Sequence, residues 1–253
     1  MSSQPKAKTS DLHHKLVGYI DSGEIPDVGV IEEILRDASY LLEPERSYIR
    51  AMVHVAKRDH SGAMQFFEQS LRYDDVRVAL NYLAYLGTSA HNYTHRLEIY
   101  RLEELYHNST MRRIARNASY GIGDSRRVRQ YTLKMAALLD GEQKQRMMSE
   151  GEAMMQRIQD FKELTSLTQK DVEDLCDTAE GLANAQNVNC IGVSYFIDTH
   201  GDCAYIIDAE TEDPEILSEL NFELACVLAD EKYIDKAFTS WFRSVSRKDG
   251  EYQ

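Results

Sequence analysis

The chain has 253 residues, with 29 Lys and Arg against 42 Asp and Glu and a formal net charge of −13 at pH 7. That length holds one large domain or two small ones with a sizeable core. Only 4 Pro and 13 Gly favour helices over a β-sandwich. The acidity argues against a general nucleic-acid binder, and no apolar run approaches the ~18 residues of a membrane span.

Residues 1–10 are polar, with no apolar stretch behind Lys6 and Lys8, and read as a disordered tail rather than a signal peptide. A cytoplasmic setting follows as an expectation. Asp11 caps a short helix to about Ile20, and residues 22–27 form a turn. Val30, Ile31, Ile34, Leu35, Ala38, Leu41 and Leu42 keep helical spacing over 28–42. A helix pair follows at 45–58 and 61–73, joined by Arg58-Asp-His-Ser-Gly62, and then helices at 75–87 and 92–106. Helices at 109–119 and 124–139 are split by Tyr120-Gly-Ile-Gly-Asp124, with Asp124 or Ser125 as the cap. The 142–164 helix carries Met147, Met148, Met154 and Met155, a candidate face for a homodimer or for a partner. Thr168 with Asp171 resembles a capping box and opens a helix to about Ala185. Ile191, Val193, Tyr195 and Ile197, then Cys203, Tyr205 and Ile207, alternate around Asp198–Asp202 and predict a β-hairpin near residues 190–208. Asp213-Pro214 opens a helix to about Ala229, and a last helix is expected over 232–247.

Two of these hairpins share a finer pattern. Ala63, Phe67 and Ser70 follow a small, aromatic, small spacing, with Ala51 twelve residues before Ala63. Near the C-terminus Ala237, Trp241 and Ser244 do the same, with Ala225 twelve residues before Ala237. Both units resemble the tetratricopeptide repeat, in which small residues let antiparallel helices approach and an aromatic fills the gap to the next repeat. Arg50 departs from the pattern, residues 75–107 keep only its length, and 109–185 match as generic helices. The resemblance implies a mainly α fold: a tetratricopeptide-like α-solenoid of antiparallel helical hairpins with one inserted β-hairpin. Residues 11–187 would be the helical-repeat domain. Residues 188–253 would be the β-hairpin plus a C-terminal helical hairpin packed on the same solenoid. It also implies binding of a protein segment in a groove lined by first helices, with Tyr48, His54, Asn81, Tyr82 and Tyr85 as lining candidates.

Motifs for chemistry are weak. His91 and His95 have i, i+4 spacing, but Asn92 stands where a metalloprotease needs Glu. The Arg101–His107 region only loosely matches helical nucleases. Asp198–Asp202 lacks the third and twelfth ligands of a calcium loop. The four cysteines form no CxxC pair and read as reduced thiols. No catalytic residue, metal or cofactor is assigned, and the chain is read as a non-enzyme.

Charge is segregated. Asp171 to Glu231 holds sixteen carboxylates and no Lys or Arg, while 111–134 carries seven basic residues against Asp124 alone. Arg112, Arg113, Arg116, Arg126, Arg127 and Arg129 therefore join the partner-binding candidates, and a basic partner is expected on the acidic segment. The first reading is an adaptor, chaperone or regulator that holds a protein segment. The alternative is an acidic decoy that mimics nucleic acid and inhibits a DNA-binding protein. An enzyme sited near the hairpin is a third class.

Overall fold

A computed structural model describes residues 4–246, which form eleven helices and one three-stranded sheet. The chain divides into two compact units, one up to Tyr85 and the other from Leu86.

The first unit contains α1 (Gln4–Ser22), α2 (Val28–Ala38), α3 (Glu45–Ala56), α4 (His60–Leu71) and most of α5 (Val76–Thr88). Helix α1 starts earlier than expected, so residues 4–10, read as a disordered tail, are helical. Residues 1–3 lie outside the described residues. Leu12 and Leu16 bury the α1 stripe, and α1 packs on α3. Between α3 and α4, the Asp59 carboxylate accepts from the Gly62 amide at 3.0 Å and pairs with His54 Nδ1 at 2.7 Å. Gly62 permits this turn, because a Cβ there would lie 2.1 Å from the His54 ring. Ala51, Ala63, Phe67 and Ser70 are all buried in this unit, as close helix packing requires.

The second unit contains α6 (Asn92–Tyr106), α7 (Ser109–Gly121), α8 (Ser125–Ala136), α9 (Gly141–Thr165) and α10 (Gln169–Ala185). Strands β1 (Asn189–Ile197) and β2 (Cys203–Glu210) form the expected antiparallel hairpin. Helix α11 (Pro214–Leu228) then leads to β3 (Thr239–Ser244), which pairs with β2 in parallel. Caps place the helix starts: Asn108, Asp124, Thr168 and Asp213 each accept backbone amides of the following turn. The core joins Phe161 of α9, Leu175 and Ala179 of α10, Tyr195, Tyr205 and Ile207 of the sheet, Leu220 and Leu224 of α11, and Phe242 of β3. The Tyr195 and Tyr205 hydroxyls both donate to the Gly121 carbonyl, at 3.0 and 2.9 Å, and tie the sheet to the end of α7.

The C-terminal helix expected over 232–247 is a correction. Residues 231–236 turn, residues 239–244 are β3, and residues from 247 lie outside the described residues. Ser240 and Phe242 face inward while Trp241 points out, a period of two that a helical i, i+4, i+7 reading of Ala237, Trp241 and Ser244 overlooks. So short a strand is held by its non-local pairing with β2 and by Asn221 of α11. That amide accepts from the Phe242 N–H at 2.7 Å and donates to its carbonyl at 3.1 Å. The second tetratricopeptide-like match therefore has no second helix, and Ala225 and Ala237 are both exposed.

Candidate partner-binding surfaces

The expected groove residues of the first unit largely face one another. Tyr48 is buried, with its hydroxyl 2.8 Å from His13 Nδ1 and its ring tilted against Phe67. Burial pushes that hydroxyl's pKa well above its ordinary value. Tyr82 is buried against Phe67 and donates to Met64 Sδ at 3.0 Å. Tyr85 is half-buried, 2.8 Å from His60 Nδ1, and stacks on Phe67. Phe67 thus gathers three of the five residues into the packing of the unit. His54 is half-buried, stacked on Phe66 and paired with Asp59. Asn81 is half-buried and donates its amide to the Arg77 carbonyl.

The basic residues of 111–134 divide between internal pairing and the surface. Glu103 of α6 is fully buried, accepting from Arg112 Nε at 2.9 Å and Lys134 Nζ at 2.9 Å. Burial opposes its ionisation, but the hydrogen bonds from Lys134 and Arg112 outweigh it and hold the carboxyl below its ordinary pKa. Arg116 is buried and pairs with Glu150 of α9, and Arg113 is half-buried. Arg127 lies over the Tyr100 ring, 4.5 Å from its centroid, and Tyr100 stacks on Tyr131 with planes 7° apart. Arg126 and Arg129 are exposed and line an open groove of about 560 Å³ with Ser125, Glu152, Met155, Gln156 and Gln159.

The acidic segment divides in the same way. On α10, Asp177 and Glu180 pair with the buried Arg96, while Asp171 and Asp174 pair with Lys232 and Asp174 also with Lys170. Burial opposes the charge on Arg96, yet its bonds to Glu180 overcome this and raise its pKa. At Glu180 burial wins, and the carboxyl stays above its ordinary value despite Arg96. None of these pairs joins the 111–134 cations to the 171–231 carboxylates. No family model, curated protein or solved structure matches this chain.

Apolar side chains of α6 and α11 are among those that stay outward in the second unit. On α6, Tyr93, Leu97, Arg101 and Leu105 recur every fourth residue as one stripe, and the three apolar members are exposed. On α11, Phe222 is exposed among Ser218, Ala225, Cys226 and Ala229, with Glu219 on one flank. Neither was singled out from sequence. The missed signal on α6 was the fourth-residue spacing of Tyr93, Leu97 and Leu105, opposite the buried Asn92, Arg96, Ile99 and Leu102. Among the described residues no cluster of three or more His, Cys, Asp or Glu is arranged to hold a metal ion. Cys176 is buried, and burial pushes its thiol well above the ordinary pKa, which suits packing rather than nucleophilic chemistry.

Proposed function

We propose that the chain is a non-enzymatic protein-binding module of the adaptor, chaperone or regulator kind, built on repeat-like helical hairpins and working in the cytoplasm. It holds a partner segment along the outward stripe of α6. The observation that carries this reading is the stripe itself. Tyr93, Leu97 and Leu105 are 42, 46 and 61% exposed on a helix whose other face is fixed by Arg96 and Glu103. An amphipathic helix laid alongside such a stripe is a recurrent mode of recognition. The short turns joining α6, α7 and α8, and the buried Ala51, Ala63, Phe67 and Ser70 around α3 and α4, support the repeat-like architecture. The decoy reading draws less support, because the α10 carboxylates named above are turned to Arg96, Lys170 and Lys232.

Affinity capture from the native host with wild-type protein and with a Leu97→Asp/Leu105→Asp variant tests the reading. Both positions are exposed, so circular dichroism of the variant should match wild type. A partner retained by wild type and bound at least about tenfold more weakly by the purified variant is expected. Equal affinity of the purified partner for both proteins would overturn the α6 site.

A further inference from the structure

The acidity that remains unpaired is concentrated on α11 and the turn behind it. From Glu212 to Glu231 the chain holds seven carboxylates and no basic residue. Among the described residues no ion pair engages Glu215, Glu219, Glu223, Asp230, Glu231 or Asp235. Glu215, Glu219 and Glu223 follow one another every four residues, about 6 Å apart along the axis. The last turn of α11 carries no basic residue, so the partial negative charge of the helix end adds to Asp230 and Glu231.

The same helix presents an apolar surface on a rigid mount. Leu220 and Leu224 are buried, and Asn221 is clamped to both backbone groups of Phe242, so rotation of α11 is fixed. That rotation leaves Phe222 71% exposed, with Ser218, Ala225, Cys226 and Ala229 exposed around it. Ile234 in the following turn is 63% exposed. A large aromatic on a bed of small residues, bordered by unpaired carboxylates, combines the two elements of a docking site: an apolar anchor and a charged rim.

We infer that the outward face of α11 docks a basic amphipathic segment of another protein. Lys or Arg side chains of that segment would meet Glu215, Glu219 and Glu223, and an apolar side chain would pack beside Phe222 over Ala225 and Ala229. Charge selects the occupant. A second copy meeting this face with its own α11 would bring like charges together, and an acidic segment would be repelled. A nucleic-acid decoy would need the carboxylates but has no use for Phe222. The site is separate from the α6 stripe and does not depend on it.

The test uses the full chain and a fluorescein-labelled 18-residue peptide of Lys and Leu in amphipathic helical order, read by fluorescence anisotropy. A Lys/Ser peptide of equal charge and a Glu/Leu peptide of equal apolarity are the controls. The Lys/Leu peptide should bind, and more weakly at 300 than at 50 mM salt. Phe222→Ser and Glu219→Lys/Glu223→Lys should each weaken it at least about tenfold. Bound peptide should also slow maleimide labelling of Cys226, the exposed one of the four thiols. The α6 variant should bind the peptide as wild type does. Binding indifferent to Phe222, equal binding of the Lys/Ser peptide, unchanged Cys226 labelling, or Phe222-dependent self-association without peptide binding would each overturn the proposal. Since Phe222 is exposed, Phe222→Ser should fold normally, and an unchanged melting temperature checks this.

Discussion

Replacing Arg96 by Met should destabilise the second unit in a pH-dependent way. Arg96 Nε lies 3.1 Å from both Glu180 oxygens, a further guanidinium nitrogen bonds Glu180 at 3.0 Å, and Asp177 also pairs with it. Asp177 is partly exposed and can rehydrate, whereas Glu180 cannot. Breaking a buried pair from one side costs about 3–5 kcal/mol. Protonation sets a ceiling on the carboxyl's share. Neutralising a Glu of ordinary pKa ~4.3 at pH 7 costs about 1.36 kcal/mol for each of ~2.7 units, or about 4 kcal/mol. At pH 5 the same ceiling is about 1 kcal/mol. In the variant Glu180 binds its proton in the folded state at a pH where the unfolded chain releases it, so the deficit grows as pH rises. Urea unfolding at pH 5 and pH 7, followed by the single Trp241 of this unit, should show a deficit of a few kcal/mol at pH 7 that shrinks at pH 5, by at most about 2–3 kcal/mol because the wild-type Glu180 carboxyl pKa is itself already raised. Arg96→Met/Glu180→Met should recover most of the loss. A deficit below about 1 kcal/mol, or one independent of pH, would refute the reasoning that Glu180 is charged only because Arg96 faces it.

Two other outcomes follow from the packing and titration. Gly151→Ala would place a methyl 2.4 Å from Thr132 of α8, so the usual helix gain from Ala should reverse to a loss of about 1–3 kcal/mol in denaturant unfolding. A stabilised variant would show that α8 and α9 pack less closely than described. In the first unit, burial lowers the pKa of His13, with His14 and Arg77 adding to it, and burial lowers His60 against the pull of Asp59. In the tautomer that leaves Nδ1 bare, each ring accepts from its tyrosine hydroxyl, Tyr48 for His13 and Tyr85 for His60, and protonation removes that acceptor. A lowered folded value means that the stability is present above the unfolded value of 6.5 and is lost as pH falls through the folded values. Amide exchange in α3 and α4, corrected for intrinsic rates, should therefore quicken from pH 7.5 to pH 5. Equal protection at both would sink the prediction.

Local signals made most of the fold legible. Helix α6 was placed at 92–106 and found at Asn92–Tyr106, and the Thr168–Asp171 capping box is present with both of its bonds. Such features depend on neighbours within one turn. Strand β3 was not legible, because a six-residue segment carries too little periodicity to separate strand from helix. Its state is decided by β2, about 35 residues earlier, through pairs such as Ile206 with Trp241. The burial of Tyr48 and Tyr82, two of the expected groove residues, was hidden for a related reason. Tyr is amphipathic and serves a core as readily as a surface, and contacts distant in sequence, with His13, Met64 and Phe67, hold Tyr48 and Tyr82 inward.

Charge shows the same limit more sharply. A run of sixteen carboxylates states a net charge but not which of them face a cation. Glu180 meets Arg96 across 84 residues, and Glu103 meets Lys134 across 31, so composition could not separate neutralised groups from free ones. Once those pairs are removed, the acidic segment and the basic hairpin stop being two opposed surfaces. The hairpin spends Arg112, Arg116 and Lys134 on holding helices together. The field that persists outward belongs to α11, where the carboxylates have no partner among the described residues and lie beside an exposed aromatic. Glu215, in the first turn of α11, is favoured by the helix dipole, but Glu219, Glu223 and the exposed Phe222 bring the helix little stability of their own, which is the feature the proposed docking site would explain.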